Sequence, residues 1–267
     1  MTLYVSDLDG TLLNNNAEIS ATSKELLNKA LNNNVQFTIA TARTPATVVN
    51  ILKDVNINMP VVTMNGSAIY DIKKDNYLRY TTIDLKFVKT IDALIKKENL
   101  NAFIYTIKNN HLFVYHRRLK HPYQIKFYNQ RKNSSFKTFI QEDFPSDAEV
   151  LYFTIMEYKD KINSLYNKIK AMKDLYIVKY KDNYDNDIYY LEIYSVKSSK
   201  ANAIKYLKQH YDFNKLVTFG DNLNDIPMFE ISDECYAVEN AVDELKEIAT
   251  GVIGLNTEDS VAKFIRN

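Results

Sequence analysis

The first sixty residues alternate between short apolar runs and segments with apolar residues at helical spacing. Leu3-Tyr4-Val5, Val35–Ala40 and Val61–Met64 predict three buried strands. A helix is predicted between each pair, over Ser20–Asn33 and from Thr44-Pro45 onward, because proline suits a first helical turn. This alternation predicts a parallel sheet with right-handed crossovers, in which ligands bind beyond the carboxyl ends of the strands.

Hairpins replace the simple alternation in the middle of the chain. Helices are predicted over 84–98 and 162–172, with strands near Phe103 and Leu112, over 150–156, and up to Tyr194. The acidic segment 181–187 is interpreted as a hairpin turn, because it lacks the glycine and terminal glutamate of a calcium loop. A helix at 200–210, a strand at 216–219 and a helix at 225–231 resume the first pattern. The sequence therefore predicts an α/β core domain, 1–82 and 190–267, interrupted by an α+β domain, 83–189.

Composition limits the partners that the chain can have. Lys and Arg total 34 against 33 Asp and Glu, so the formal charge of +1 gives no reason to expect nucleic acid or an anionic membrane. The single cysteine, Cys235, suits a reducing compartment, and neither an export signal nor a run of eighteen apolar residues is visible. We expect a cytoplasmic monomer or homodimer that acts on a small molecule.

Two acidic motifs follow predicted strands. Asp7-Leu8-Asp9 comes after the first strand, and the segment 220–225, with Asp221 and Asp225, comes after the strand at 216–219. Each alone has an ordinary interpretation, as an acidic turn or as the turn that caps a helix. Because both lie at carboxyl ends of strands, they are expected to converge at one sheet edge, where Mg²⁺ is the simplest way to hold carboxylates together.

Two donors lie between these motifs in the sequence. Thr41 ends the second strand, and Lys200 begins a helix, so each could bind phosphate oxygens. A threonine at a strand end or a lysine at a helix start is more often structural or solvated. Lys197 is a second candidate for the same role, but apolar residues at helical spacing follow Lys200.

Taken together, these motifs resemble those of haloacid dehalogenase (HAD) superfamily phosphatases, in the Cof-type branch with a large α/β cap, subclass IIB. The matching segments cover essentially the whole chain and are, in order, Asp7–Leu12, Thr41-Ala42-Arg43, Asn65-Gly66-Ser67, Ser199–Ala203, Gly220–Asp225 and Glu239–Lys246. Ala42 and Ala201 stand where the branch usually has glycine, which affects the backbone of the phosphate loops but removes no functional side chain.

The resemblance implies a fold, a reaction and a role for each matching residue. The fold is a Rossmann-like parallel-sheet HAD core with an inserted α+β cap of the C2 type. Asp7 would be the nucleophile that forms an aspartyl-phosphate, Asp9 the general acid and base, and Thr41 and Lys200 the ligands of the phosphoryl group. Mg²⁺ would be held by Asp7, Asp9 through its backbone carbonyl, and Asp221, with Asp225 orienting this shell. Substrate-binding positions would be Leu8 through its backbone N–H, Arg43, Asn65, Gly66 and Asn224.

Alternatives remain open at this point. A phosphomutase of the same superfamily would share the core residues, and a catalytically idle module could keep the fold to bind phosphorylated metabolites. Residues 111–140 contain no acidic residue but seven Lys and Arg interleaved with aromatic residues. This basic strip is interpreted either as a surface for an anionic substrate or, preferably, as a solvated face balanced by acidic residues elsewhere.

Overall fold

The structure is a computed structural model that describes residues 1–182, 185 and 187–266. Its contacts divide the chain into two compact units. We call Met1–Arg79 with Ser199–Asn267 the core unit and Tyr80–Ser198 the inserted unit. These bounds fall close to the expected boundaries, and the division into domains 1–82, 190–267 and 83–189 stays a prediction.

The helices and strands follow the chain in three stretches. The first contains β1 (Thr2–Ser6), α1 (Ala21–Asn32), β2 (Gln36–Ile39), α2 (Pro45–Leu52), β3 (Val61–Thr63), β4 (Ala68–Asp71) and β5 (Asn76–Tyr80). The second contains α3 (Leu85–Lys97), β6 (Ala102–Lys108), β7 (His111–Tyr115), α4 (Pro122–Arg131), β8 (Lys137–Ile140), β9 (Val150–Tyr158), α5 (Lys159–Ile169), β10 (Leu175–Lys181) and β11 (Ile188–Ser195). The third contains α6 (Lys200–His210), β12 (Lys215–Gly220), α7 (Ile226–Phe229), β13 (Glu234–Val238), α8 (Asp243–Glu247), β14 (Gly251–Ile253) and α9 (Ser260–Arg266).

A parallel sheet with the strand order β14-β13-β12-β1-β2 forms the centre of the core unit. Leu3 and Val5 of β1 are fully buried, as expected for a strand covered on both faces. The pairing with β12 continues past the strand end, where the Asp7 N–H donates to the Phe219 carbonyl over 2.9 Å. The ends of β1, β2 and β12 are therefore neighbours, which is the arrangement that the α/β pattern predicted.

The third predicted strand lies beside β2 but forms its main pairing with another strand. β3 pairs with β4 in an antiparallel sheet of order β3-β4-β5. A single parallel bridge, between Ala40 and Val62, connects it to the end of β2. The predicted parallel neighbour of β2 is therefore present, but the chain turns back at Asn65 and Gly66, both with positive φ, so most of the pairing of β3 is antiparallel with β4.

The inserted unit is an α+β structure built on a mixed sheet with the order β10-β11-β9-β6-β7-β8. One face packs against α3 and α5, whose inward residues share a buried cluster with the strands. The predicted fold class, a parallel-sheet core with an inserted α+β region, is confirmed. β10 and β11 pair antiparallel, and of the hairpin turn predicted between them, 183, 184 and 186 lie outside the described residues. No helix in the described part of the chain has the length and apolar character needed to cross a membrane.

Candidate active site

The loop after β1 carries the first acidic motif and bends toward the loop after β12. Gly10 makes this approach possible, because its φ is +77° and a Cβ atom on it would overlap the Asp221 carboxylate. Thr11 then donates its hydroxyl hydrogen to Asp221 Oδ1 over 3.0 Å. The two motifs, 210 residues apart, therefore meet at one sheet edge as predicted. Thr11 was not among the predicted site residues, although it lies inside the first motif.

Lys200 is a buried cation at the sheet edge where the two acidic motifs meet. Its Nζ donates to Asp7 Oδ1 over 2.5 Å and to Asp225 Oδ1 over 2.6 Å, and the residue is only 2% exposed. Ser199 fixes the start of α6 by accepting a hydrogen bond from the Asn202 N–H. Burial alone would lower the pKa of Lys200, but Asp225 and Asp7 raise it above its usual value. Lys200, the preferred of the two candidate lysines, therefore bonds the predicted nucleophile.

Asp225 serves as a fixed anchor. It is completely buried, its Oδ1 accepts from Lys200, and its Oδ2 accepts from the backbone N–H groups of Asp221 and Asn222 over 3.0 and 3.2 Å. Both oxygens are thus engaged by protein donors. This arrangement positions the lysine and the Asp221 loop, and the role of Asp225 in orienting a metal shell stays a prediction.

Three carboxylates crowd around the single ammonium of Lys200. Asp7, Asp221 and Asp225 each offer an oxygen, and these atoms lie within 4.8 Å of one another. Burial and then the charge of Asp225 raise the pKa of Asp221 to about 6. Burial also raises the pKa of Asp7 well above its usual range, against the opposing effect of Lys200. An excess of close, buried negative charge and hard oxygen donors fits a divalent cation such as Mg²⁺.

Asp9 lies outside this acidic group and pairs with Arg43. The guanidinium donates from Nε to Asp9 Oδ2 over 2.8 Å and from Nη2 to Oδ1 over 2.5 Å, a two-pronged ion pair. The side chains of Arg43 and Asp9 are 25% and 54% exposed, so both can be reached from solvent. Both residues were predicted to lie in the site, but no feature of the sequence indicates that they pair.

The loops that follow β2 and β3 bring the remaining predicted residues to the same edge. Thr41 is fully buried, and its hydroxyl oxygen accepts from the Arg43 N–H over 3.2 Å. The Asn65 N–H donates to the Thr41 carbonyl over 3.0 Å. Gly66, with φ at +85°, lies so close to the Ser199 carbonyl that a Cβ atom would clash with it. This packing joins the Asn65-Gly66 turn to the start of α6.

Leu8 and Asn224 were also predicted to bind substrate. The Leu8 side chain is fully buried in the core, and a role for its backbone N–H in substrate binding stays a prediction. Asn224 is half-buried in the turn before α7. Asn240, a residue of the predicted family ending that was not assigned to the site, supports the first loop by donating from Nδ2 to the Gly10 carbonyl over 2.8 Å.

Comparisons with known proteins agree with this geometry. The family model described as haloacid dehalogenase-like hydrolase matches residues 4–265. Among curated relatives, Phosphatase YwpJ of Bacillus subtilis is 27% identical, over 100% of this chain and 99% of its own. The 5-amino-6-(5-phospho-D-ribitylamino)uracil phosphatase YwtE of the same organism is 29% identical, over 97% of this chain and 95% of its own.

Solved structures show the same fold. A haloacid dehalogenase-like hydrolase from Bacteroides thetaiotaomicron superposes with a TM-score of 0.80 at 20% identity, covering 99% of this chain and 98% of that one. The HAD subclass IIB sugar phosphatase BT4131 gives 0.76 at 19% identity, covering 100% and 98%. The resemblance carried by the motifs is therefore confirmed: the chain belongs to the haloacid dehalogenase-like hydrolase family, in its Cof-type branch, and is an enzyme of the HAD phosphatase type.

Proposed function

We propose that the enzyme hydrolyses a small phosphorylated metabolite, a sugar phosphate or a similar phosphomonoester, through an aspartyl-phosphate on Asp7 with the help of Mg²⁺. The observation that carries this proposal is the position of the Asp7 carboxylate. It is 5% exposed, directly after β1, bonded to Lys200 and adjacent to Asp221. A carboxylate that is held at a strand end beside a buried ammonium and other acidic side chains is placed as a nucleophile for an anionic ester requires.

The chain's own residues account for both halves of the reaction. Asp7 attacks phosphorus and the ester oxygen leaves, taking a proton from Asp9, so that the phosphoryl group becomes bound to Asp7. Asp9 then removes a proton from water, whose oxygen attacks phosphorus and releases inorganic phosphate and free Asp7. Lys200 and the Thr41 hydroxyl bind the phosphoryl oxygens, where charge is spread in the transition state.

Asp9 can transfer protons only after its ion pair with Arg43 is broken. Arg43 occupies both of its oxygens, and the negative charge of a bound phosphoryl group would attract the same guanidinium. We infer that substrate draws Arg43 onto the phosphoryl oxygens and frees Asp9 for proton transfer. Arg43 would then act as a substrate-binding residue, in line with the role assigned to it from the sequence.

The acidic group would hold the metal. Its ligands would be the Asp7 carboxylate, the Asp9 backbone carbonyl and Asp221, while Asp225, whose oxygens are taken, would orient them. Bound Mg²⁺ supplies the positive charge that lets an anionic carboxylate approach an anionic ester.

A metabolite screen tests the function. Inorganic phosphate release would be measured from an aryl phosphate and from a panel of sugar phosphates and other phosphomonoesters, with Mg²⁺ and with a chelator. The panel would include 5-amino-6-(5-phospho-D-ribitylamino)uracil, the compound in the name of the relative that is 29% identical. Asp7→Asn is expected to abolish release, while Asp243→Asn, which changes a 94% exposed carboxylate of the same unit, is the matched control.

The rival functions give different results in the same assay. A phosphomutase would produce an isomeric phosphate ester with little free phosphate, and an idle module would bind ligands without turnover. Mass spectrometry of Asp9→Asn after brief exposure to substrate should show one added phosphoryl group, because breakdown of the intermediate is slowed. Normal turnover by Asp7→Asn would exclude the proposed nucleophile.

A further inference from the structure

The loop between β13 and α8, residues 239–242, contacts both of the loops that carry the acidic motifs. We call the loops after β1 and β12 the two acidic loops. The Asn240 side chain donates from Nδ2 to the Gly10 carbonyl of the first acidic loop over 2.8 Å. Two residues later, the Val242 N–H donates to the Asp221 carbonyl of the second over 2.9 Å. A short segment from a third strand end therefore bonds to both acidic loops.

The Gly10 carbonyl lies at the part of the first acidic loop that its own sequence constrains least. Glycine has no Cβ atom, so its φ and ψ vary more freely than those of other residues. Gly10 has φ at +77° and ψ at −4°. It lies between the Asp9 carbonyl, proposed above as a metal ligand, and Thr11, which bonds Asp221 over 3.0 Å. The hydrogen bond from Asn240 fixes the peptide group after Gly10, and thereby the directions of both neighbours.

Electrostatic repulsion acts between the two acidic loops. Asp7 of the first loop and Asp221 and Asp225 of the second each offer an oxygen, and these atoms lie within 4.8 Å of one another. Like charges at such distances favour separation of the loops. The donors of Asn240 and Val242 are neutral amides. They hold the loops together without adding a positive charge that would compete with a metal ion.

A second asparagine bonds the same loop at a different carbonyl. The Asn240 Oδ1 accepts from the Asn256 N–H over 3.0 Å, and Asn256 itself donates from Nδ2 to the Leu13 carbonyl over 2.8 Å. The first acidic loop therefore accepts two side-chain amide bonds of equal length, at Gly10 and three residues later at Leu13. Only the bond at Gly10 adjoins the proposed metal ligands, so the two asparagines separate orientation of those ligands from general support of the loop.

We propose that Asn240 is a positioning residue for the divalent metal, which acts through the Gly10 carbonyl to hold the Asp9 carbonyl and Asp221 at the spacing that the cation requires. The inference rests on the proposed function, which assigns a metal to the acidic group, and adds a residue that binds neither metal nor substrate itself. Loss of such an outer partner typically weakens metal binding about 10- to 100-fold. Overall stability should change little, because Asn240 is exposed and water can replace its bonds.

Direct metal binding to Asn240→Ala tests this role without requiring turnover. Mn²⁺ is the probe, because it accepts the same carboxylate and carbonyl oxygens as Mg²⁺, and its free ion has a paramagnetic resonance signal that is lost on binding. Titration of the full chain gives the dissociation constant for Mn²⁺, and competition gives that for Mg²⁺. Asp221→Asn identifies the site, since loss of this ligand should abolish it. Asn240→Ala is expected to raise both constants about tenfold.

Asn256→Ala is the matched control. It removes a bond of the same kind and length from the same loop, and it keeps the backbone N–H that Asn240 accepts. We expect it to bind Mn²⁺ as tightly as the unaltered chain. Urea unfolding followed by circular dichroism measures any general loss of stability, which a merely structural role would cause in both variants alike. Asn240→Leu repeats the test with most of the side-chain volume kept.

The outcomes distinguish failure of this inference from failure of the proposed function. Unchanged Mn²⁺ affinity in both Asn240 variants, or an equal loss in Asn256→Ala, would overturn the positioning role and leave the proposed metal site in place. If the unaltered chain binds no Mn²⁺, or Asp221→Asn binds it equally, the metal assignment of the proposed function fails and this inference fails with it. Weaker binding confined to the Asn240 variants, with aryl phosphate hydrolysis restored by excess Mg²⁺, supports the positioning role.

Discussion

Replacing Lys200 by methionine tests how the acidic edge is held together. Methionine fills a similar volume but removes both ion pairs, to Asp7 and Asp225, and leaves the acidic group without its cation. Removing one partner of a buried ion pair typically costs about 3–5 kcal/mol, and Lys200, being 2% exposed, has little solvent to take over its role. We therefore expect a loss of about that size in the free energy of unfolding at pH 7.5 without metal.

The loss should shrink as the pH falls. Without Lys200, the pKa of the buried carboxylates rises further, so the folded variant holds a proton that the unfolded chain releases above its ordinary pKa of 3.8. Stability that depends on such a proton increases as the pH decreases. One proton over two pH units recovers at most about 2.7 kcal/mol, between pH 7.5 and pH 5.5.

Urea unfolding followed by circular dichroism measures this change, with and without Mg²⁺. Lys208→Met is the matched control, because Lys208 lies on the same helix and its ion pair with Asp233, at 3.0 Å, is solvent-exposed. An exposed pair of this kind contributes about 0–1 kcal/mol. If the two variants lose equal stability, the reasoning that Lys200 neutralises the buried acidic group is refuted.

Three further predictions concern the same site. Arg43→Met should lower kcat/KM for an aryl phosphate about 10- to 100-fold in steady-state assays, because one charged contact to the phosphoryl group is lost; an unchanged value would exclude Arg43 from substrate binding. Gly10→Ala should cost about 1–3 kcal/mol and weaken Mg²⁺ binding in calorimetry, because of the positive φ and the overlap with Asp221, whereas Gly251→Ala, with 3.4 Å to its nearest neighbour, should do neither. The Mg²⁺ concentration for half-maximal activity should rise as the pH falls through about 6, where Asp221 takes up the proton that competes with the metal; a flat profile between pH 5 and pH 7.5 would contradict this.

The convergence of the candidate site residues could be predicted from sequence because they lie in short contiguous motifs at strand ends. Asp7 follows β1, Thr41 follows β2, and Asp221 follows β12, and the parallel pairing of these strands brings their ends together. What the motifs could not show is which side chains bond each other there. The pairing of Arg43 with Asp9 depends on where two separate loops end, which residue order alone does not determine.

The inserted unit was less predictable, and α4 and β8 are clear examples. α4 carries aromatic and charged residues in turn, so its helical period is weak, and among its residues only Gln124 is buried. It begins at Pro122, with the His121 ring nitrogen Nδ1 accepting from the Tyr123 N–H. β8 has four residues at the edge of the sheet, beside β7. Such elements depend on their tertiary neighbours, so neither was predicted.

The basic strip shows that a sequence gives the residue types but not the partners that each residue meets in the fold. Its seven cations can be counted from the sequence. Whether the charge of each is neutralised depends on which side chains the fold places next to it. Arg117 meets Asp92 of α3, which lies 25 residues earlier in the chain. Lys137, on the edge strand β8, is 5% exposed, and burial together with the charge of Arg131 lowers its pKa. The preferred interpretation, a solvated face balanced by acidic residues elsewhere, therefore fits Arg117, which pairs with Asp92 and Asp143. It does not fit Lys137, which is buried at the start of β8.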